Sequence, residues 1–402
     1  MSQNATLKAG AAWADVTPPA FTFMTGMGFN RPRPTGVHDR LLARALVLAS
    51  GDTKVALVTV DINYIDFDHI NGARQLIEKY TDVPAANVHI TSSHSHSSPG
   101  YMKLWNDAET RQNWRPVAEE EIHHVDAACW LIAGAVYEAN LHLVDAELGF
   151  GRGTSRYNIV RWHLDRDGMM HYVPYHRDLA TNIEPLTDMF IMHVREKGSG
   201  RSLAAYYTNH AHAICVCMQS DLITADYPGF VAREVEQALG GLCMFAPGTI
   251  GDQHPRDFDR GFDAAREMAN QLAEEIVKAQ KAMKYTPNVR IRAVEQELDL
   301  PETPGKDLFN RTRTSVVALN DVALSFWPGE AFGMITRKLE AESPFKRTVL
   351  ISNTDDFKYY FAMEKEFRKY KWESRGAQPS IYDVSGGDLM LKTAQELLSR
   401  VG

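Results

Sequence analysis

Cysteine is scarce in this chain: four residues in 402, Cys129, Cys215, Cys217 and Cys243, at irregular spacings. That excludes a disulfide framework and a thiolate zinc site, and Cys215 and Cys217, on one side of a predicted strand, read as buried thiols. Long apolar runs are also missing. No window approaches the roughly 20 apolar residues that cross a bilayer, and Met1 to Gly10 lacks the positive-then-apolar pattern of a leader. The expectation is a cytoplasmic protein with no integral membrane segment. Positive charge is in deficit, with 43 Lys and Arg against 51 Asp and Glu, a net charge of -8 and a pI near 6.0. This argues against nucleic acid as the main partner and for a small-molecule substrate. A G-x-S-x-G nucleophile elbow and a phosphate-cradling glycine fingerprint are both absent. What remains, 44% hydrophobic and 23% charged, is an ordinary globular balance.

Apolar runs at Leu41 to Ser50 and Lys54 to Ile62, separated by the Gly51-Asp52 turn, predict a hairpin. A helix from about His69 to Tyr80 and a strand at Asn87 to Ser92 make the opening third ββαβ. Long helical patterns follow at Ala118 to Leu141 and Phe262 to Met283, with strands between them at Ala146 to Phe150, Met189 to Val194 and Leu203 to Tyr207. The carboxyl part repeats the alternation: strands at Val289 to Leu298, Val322 to Phe326 and Val349 to Ser352, a helix from Ala331 to Glu342, and a last helix from Asp388 to Val401. With no linker, repeat or low-complexity tract, residues 1–402 read as one α/β unit with a mixed β-sheet core flanked by helices. Two intimately packed halves are the alternative.

The most informative stretch is Val88-His-Ile-Thr-Ser-Ser-His94-Ser-His96-Ser-Ser-Pro-Gly100. An apolar strand runs into two histidines spaced i, i+2, and if strand geometry persists, alternation puts both on one face. The small serines around them leave room for a ligand. A second pair, His210-Ala-His212, ends another apolar strand, so two strands present imidazoles at one sheet edge. His210 reads as the site residue of that pair and His212 as a capping or packing group. Glu330, in Trp327-Pro-Gly-Glu330 between a strand and a helix, either projects into a pocket or favours the helix amino terminus. Asp252 and His254, in the glycine-containing Gly248-Thr-Ile-Gly-Asp-Gln-His254-Pro loop, are candidate supporting or acid/base groups.

In their order and spacing these blocks resemble the catalytic domain of the neutral, non-lysosomal ceramidase family. The likeness spans nearly the whole chain: Ala14-Asp-Val-Thr-Pro-Pro19, Gly36-Val-His-Asp-Arg40, Ser93-His-Ser-His-Ser-Ser-Pro-Gly100 (similar to the family's T-H-T-H-S-G-P), Asn209-His210, Ile223-Thr-Ala-Asp-Tyr-Pro-Gly229, Gly251-Asp-x-x-Pro255, Pro328-Gly-Glu330 and Asn353 to Phe367. The resemblance implies a zinc ion held by His94, His210, Glu330 and Tyr360, with His96 beside it as a hydrogen-bonding or proton-transfer group. Tyr360 is placed by the downstream Glu364-Lys-Glu-Phe367, similar to the family's E-E-Y, and Tyr359 is adjacent. Arg161 resembles an N-R position of the family and would bind a polar or acidic substrate group, unless it forms an ordinary surface salt bridge. One departure matters more than the others: where the family carries the serine of G-D-x-S-P, this chain has His254. With Gly402 as the last residue given, the expectation is a catalytic domain without the carboxyl-terminal immunoglobulin-like domain of the long ceramidases.

The implied activity is zinc-dependent hydrolysis of an amide (N-acyl) or related acyl bond, on a substrate smaller or more polar than ceramide. His96 or His254 would move the proton to the leaving group, with Tyr360 and Arg161 serving substrate or metal. A metal-dependent lyase, an ester or lactone hydrolase, and a metal-stabilised binding protein without turnover stand as alternatives. So does assembly as a homo-oligomer.

Overall fold

Alternation along the strands sorts their apolar residues onto two faces and thereby sets the layers. The computed structural model describes residues 6–19, 22, 24–25, 33–101, 119–176, 179–302, 309–373 and 383–402. In Leu42–Ser50, Ala43, Ala45 and Val47 pack with Ile70, Ala73 and Ile77 of the Phe67–Tyr80 helix and with Ile132 and Val136 of the Glu119–Leu141 helix. Leu46 and Leu48 point the other way, into a core shared with a second sheet. The same division runs through Asp188–Glu196: Met189 and Ile191 meet the Asp226–Leu239 and Phe262–Ala282 helices, whereas Phe190, Met192 and Val194 join Leu46.

The large sheet runs in the order Leu242–Pro247, Ser202–Asn209, Asp188–Glu196, Val144–Thr154, Lys8–Asp15, Leu42–Ser50, Thr53–Val60, Val88–Ser92, with Tyr285–Thr286 paired to Val144–Thr154. The second sheet is Ile291–Asp299, Arg311–Leu319, Val322–Phe326, Arg347–Ile351. Val317, Leu319, Leu324 and Ile351 bury against the large sheet, and Val316, Ala318 and Ala323 against the Gly333–Ala341 and Gly386–Val401 helices. The result is helix, sheet, sheet, helix, the expected mixed α/β core with its sheet layer doubled. Each fully buried Val, Leu or Ile contributes about 1.5–3 kcal/mol, and these two-faced strands bury such residues on both sides.

The ββαβ opening holds, with the first helix beginning at Phe67, where the Asp66 side chain accepts the His69 backbone N–H at 3.0 Å. Ala118, where the second helix was expected to start, lies outside the described residues; the helix runs Glu119–Leu141. Several strands escape apolar-run reading, including two in the main sheets. Lys8–Asp15 is built on alanine, and Arg311–Leu319 opens Arg-Thr-Arg-Thr. The strand expected at Ala146 to Phe150 extends over Val144–Thr154. Its second half is glycine-rich because the Phe262–Ala282 helix lies against it: a Cβ at Gly151 would stand 3.1 Å from Ala279 Cβ.

Candidate functional site

Three βαβ units aim their strand ends at one place. Thr53–Val60 and Val88–Ser92, Ser202–Asn209 and Leu242–Pro247, and Val322–Phe326 and Arg347–Ile351 are parallel pairs, each joined through a helix. Ligand sites of open parallel sheets form at the carboxyl ends of such strands. Here the ends are tied across the two sheets: Ser352 N–H donates to the Pro247 carbonyl, Ser92 N–H to Asn353, and Asp355 N–H to Ile90. His94 and His96, His210 and His212, and Glu330 follow three of these ends directly.

The strand before His94 stops at Ser92, and His94 takes a left-handed φ of 63°. Such an angle costs a non-glycine residue on the order of 1 kcal/mol. His94 and His96 are therefore brought together by a turn, not by strand alternation; their rings cross edge-on with centroids 4.7 Å apart. The serines expected to leave room for a ligand are buried, and the hydroxyls of Ser95 and Ser98 are bonded. Ser95 Oγ donates to the Thr224 carbonyl at 2.7 Å, Ser98 Oγ to the Ser95 carbonyl at 2.8 Å, and Asn63 Nδ2 to that same carbonyl at 3.0 Å. They hold the strained turn in place.

The other pair of histidines separates. His212 Nδ1 lies 2.9 Å from the Gln253 carbonyl, and its Nε2 lies 2.8 Å from Glu330 Oε2. His210 turns away: its Nδ1 accepts the Thr249 N–H at 2.9 Å, and its Nε2 faces Asp188 at 3.6 Å. Its expected place beside His94 is thus taken by His212, because the chain leaves strand geometry at Asn209 and no longer keeps i and i+2 on one face. One donor nitrogen from each of His94, His96 and His212 lies within 4.8 Å of the others, all three buried. His96 N–H donates to the Ala213 carbonyl at 3.1 Å, pinning one histidine segment to the other.

Glu330 is buried and sits in a two-residue parallel bridge, paired in register with Tyr360, so the following helix starts at Gly333 rather than at Ala331. It faces the cluster rather than capping that helix. Gly329 allows this: a Cβ there would lie 2.4 Å from the Tyr359 carbonyl, whose oxygen accepts the Glu330 N–H at 2.6 Å. Glu330 Oε1 is 3.1 Å from His94 Nε2. Burial raises the Glu330 pKa, but the two imidazoles beside it hold the carboxyl well below its ordinary value. Burial also lowers the pKa of His212, against the pull of Glu330, which keeps that ring neutral near pH 7.

Arg161 is buried, not a surface residue: one guanidinium nitrogen donates to the Gly251 carbonyl, and another lies 3.0 Å from His254 Nε2. It stacks 4.9 Å from the Tyr360 ring and 5.7 Å from that of Tyr172. A guanidinium only donates, so His254 Nε2 accepts, and the ring hydrogen is on Nδ1. Burial first, and then Arg161, push the His254 pKa well below its ordinary value. His254 is 4.9 Å from His212, centroid to centroid, on the short Gln253–Pro255 strand that pairs with Asn158–Val160. Burial raises the Tyr360 phenol, which stays neutral. Asp252 accepts the Gly333 N–H at 3.0 Å, joining this loop to the helix behind Glu330.

The donor set fits a divalent metal. A carbonyl cannot donate, so the Nδ1 atoms of His94, 3.0 Å from the Asn63 carbonyl, and of His212 carry the ring hydrogens. Nε2 of each ring is thereby turned toward the Glu330 carboxylate, at 3.1 and 2.8 Å, so that two imidazole nitrogens and a carboxylate converge where a cation would sit. Imidazoles oriented by a backbone carbonyl at the other nitrogen are what metal-ligating histidines show.

Fold and centre together define a helix-flanked double-sheet protein with a buried histidine–carboxylate site. The family model for the amino-terminal part of neutral/alkaline non-lysosomal ceramidases matches residues 7–244, and the chain belongs to that family. A structure described as neutral ceramidase from Pseudomonas aeruginosa superposes with a TM-score of 0.78 at 16% identity, over 98% of this chain and 75% of that one. A structure of a ceramidase complexed with C2 gives 0.80 at 15% identity, over 99% and 76%. No curated protein sequence matches. Among the described residues, no helix is long and apolar enough to cross a membrane.

Proposed function

We propose that this protein is a zinc-dependent hydrolase of an amide or related acyl bond, acting through water, with residues 1–402 as one catalytic unit. The observation that carries the reading is the convergence of His94 and His212, through Nε2, on the buried Glu330 carboxylate at 3.1 and 2.8 Å, each ring held at Nδ1 by a backbone carbonyl. His94, His212 and Glu330 would hold the ion, with Tyr360, in register beside Glu330, as a further oxygen donor. Zinc so held supplies a Lewis acid for the acyl carbonyl and lowers the pKa of a bound water from 15.7 to about 7. His96, beside both ligands, would hold and move a proton between the attacking water and the leaving group, a contribution of about 10²- to 10⁴-fold.

His254 and Arg161 serve the substrate. With Nε2 engaged by Arg161 and its pKa lowered, His254 is a hydrogen-bond donor through Nδ1 rather than a base, which weighs against a lyase that abstracts a proton through this ring. Its Nδ1–H, with no bonding partner among the described residues, is available to the developing oxyanion. Replacing the family's serine by this bulkier donor supports a substrate smaller or more polar than ceramide. Four cysteines, all free and buried, support a reducing, cytoplasmic setting.

Incubating the zinc-loaded protein with panels of N-acyl amines, N-acyl amino acids, esters and lactones, and assaying released acid and amine or alcohol, tests the reading. Release from one class, abolished in Glu330→Gln, is expected. Metal retention with no release from any class would point to a binding protein instead.

A further inference from the structure

Away from the buried centre, a second group of metal-type side chains gathers. His171 is on the Met169–Tyr172 strand, His176 follows the short Val173–Tyr175 turn, and Glu373 follows Lys371–Trp372. One donor atom from each lies within 4.8 Å of the others, and all three residues are half-buried. The strand pairing makes the meeting: Lys371 and Trp372 run parallel to Met169 and Met170, and Glu373 N–H donates to the Met170 carbonyl at 3.0 Å. His176 Nε2 is 3.1 and 3.0 Å from the two Glu373 oxygens, and Asp165 Oδ2 is 2.8 Å from His171 Nε2. The imidazole rings cross edge-on with centroids 5.6 Å apart.

We infer that His171, His176 and Glu373 form a second, solvent-reachable site for a divalent transition metal of the zinc type, with Asp165 as its supporting carboxylate. Two imidazoles and one carboxylate are a zinc-type donor set, and they leave a position for water. A carboxylate on the ligating imidazole orients the ring and raises its basicity. The group sets two carboxylates, Asp165 and Glu373, against its two rings, so its charge suits a cation. Bond lengths of about 2.0–2.2 Å require the donors to close in somewhat. Their partial exposure, with 30% of His171, 37% of His176 and 26% of Glu373 accessible, permits that movement.

The site also bears on Arg161. Tyr172 and Val173 lie between the two histidines; the Tyr172 ring stands 5.7 Å from the guanidinium, and Val173 N–H donates to the Arg161 carbonyl at 3.0 Å. An ion tying His171, His176 and Glu373 together fixes the backbone on which Arg161 rests.

The test is zinc titration of the untagged, full-length, chelator-stripped protein against a competing chromophoric indicator, with elemental analysis of the desalted product. His171→Gln and His176→Gln should each bind one zinc equivalent fewer than the unchanged protein. Asp165→Asn should weaken that equivalent by about 10- to 100-fold. In a His94→Gln background the equivalent lost with His176→Gln should still be present, which separates this site from the buried one. Circular dichroism melts establish that each variant is folded, and Glu373→Gln replaces any that is not. Equal zinc uptake by the unchanged protein and the folded variants overturns the inference.

Discussion

His210 and His212 differ by two positions and have opposite surroundings. His212 gives its Nδ1 hydrogen to Gln253 and turns Nε2 to Glu330, whereas His210 accepts a backbone N–H from Thr249 at Nδ1. His212→Ala should therefore abolish metal retention at the buried centre, and His210→Ala should leave the metal content unchanged; elemental analysis of the two desalted proteins decides. The reverse result would restore the assignment made from sequence motifs. At His254 the expectation concerns rate rather than metal. A lost oxyanion donor costs about 10²- to 10³-fold in kcat, so His254→Ala should slow turnover by that order while zinc content stays the same. A fall in bound zinc parallel to the fall in rate would reassign His254 to holding the centre.

At the scale of elements, what the sequence revealed and what it hid have one cause. Strands rich in Val, Leu and Ile, such as Leu42–Ser50 and Val322–Phe326, announce themselves because burial is written in their side chains. Arg311–Leu319 is nearly as buried, yet its polar residues are satisfied by distant partners: Thr312 Oγ1 donates to Asp356 at 2.8 Å, and Ser315 Oγ lies 3.0 Å from His89 Nδ1. No local pattern encodes a partner that far along the chain. The same holds for the site: both H-x-H motifs were visible, but the turns that send His94, His96 and His212 together and His210 away depend on contacts between sheets. His193 in Asp188–Glu196 is another buried polar residue, its ring 2.8 Å from Tyr285 Oη and 2.9 Å from Ser202 Oγ. Burial, with Arg195 nearby, lowers its pKa from 6.5 to about 4. Because the folded value lies below the unfolded one, the neutral ring's contribution is complete above pH 6.5 and is lost as pH falls through about 4. A shift of this size corresponds to roughly 3 kcal/mol. Denaturant melts should show stability falling over that interval, with a shallower fall in His193→Gln; an unchanged slope would remove His193 from the acid limb.

Across the whole molecule, the buried centre is also a clasp. His94 and His212 extend from strands of the large sheet, and Glu330 from the end of a strand in the second sheet, so one ion would join the two layers that share the central core. A ligand bound only by the folded state stabilises it by RT ln(1 + [L]/Kd), about 2.7 kcal/mol at a hundredfold excess over Kd. Chelation should accordingly lower Tm by a few degrees, and zinc should restore it in proportion to the logarithm of its free concentration. The peripheral histidines contribute to any such shift, so the comparison is made in a His171→Gln/His176→Gln background, where only the centre between the sheets remains. There the chelator should still lower Tm, and adding His94→Gln and His212→Gln should remove the response. A Tm that stays constant while elemental analysis shows the zinc gone would mean that the strained turn at His94 and the hydrogen bonds among its serines hold the sheets in register without the ion.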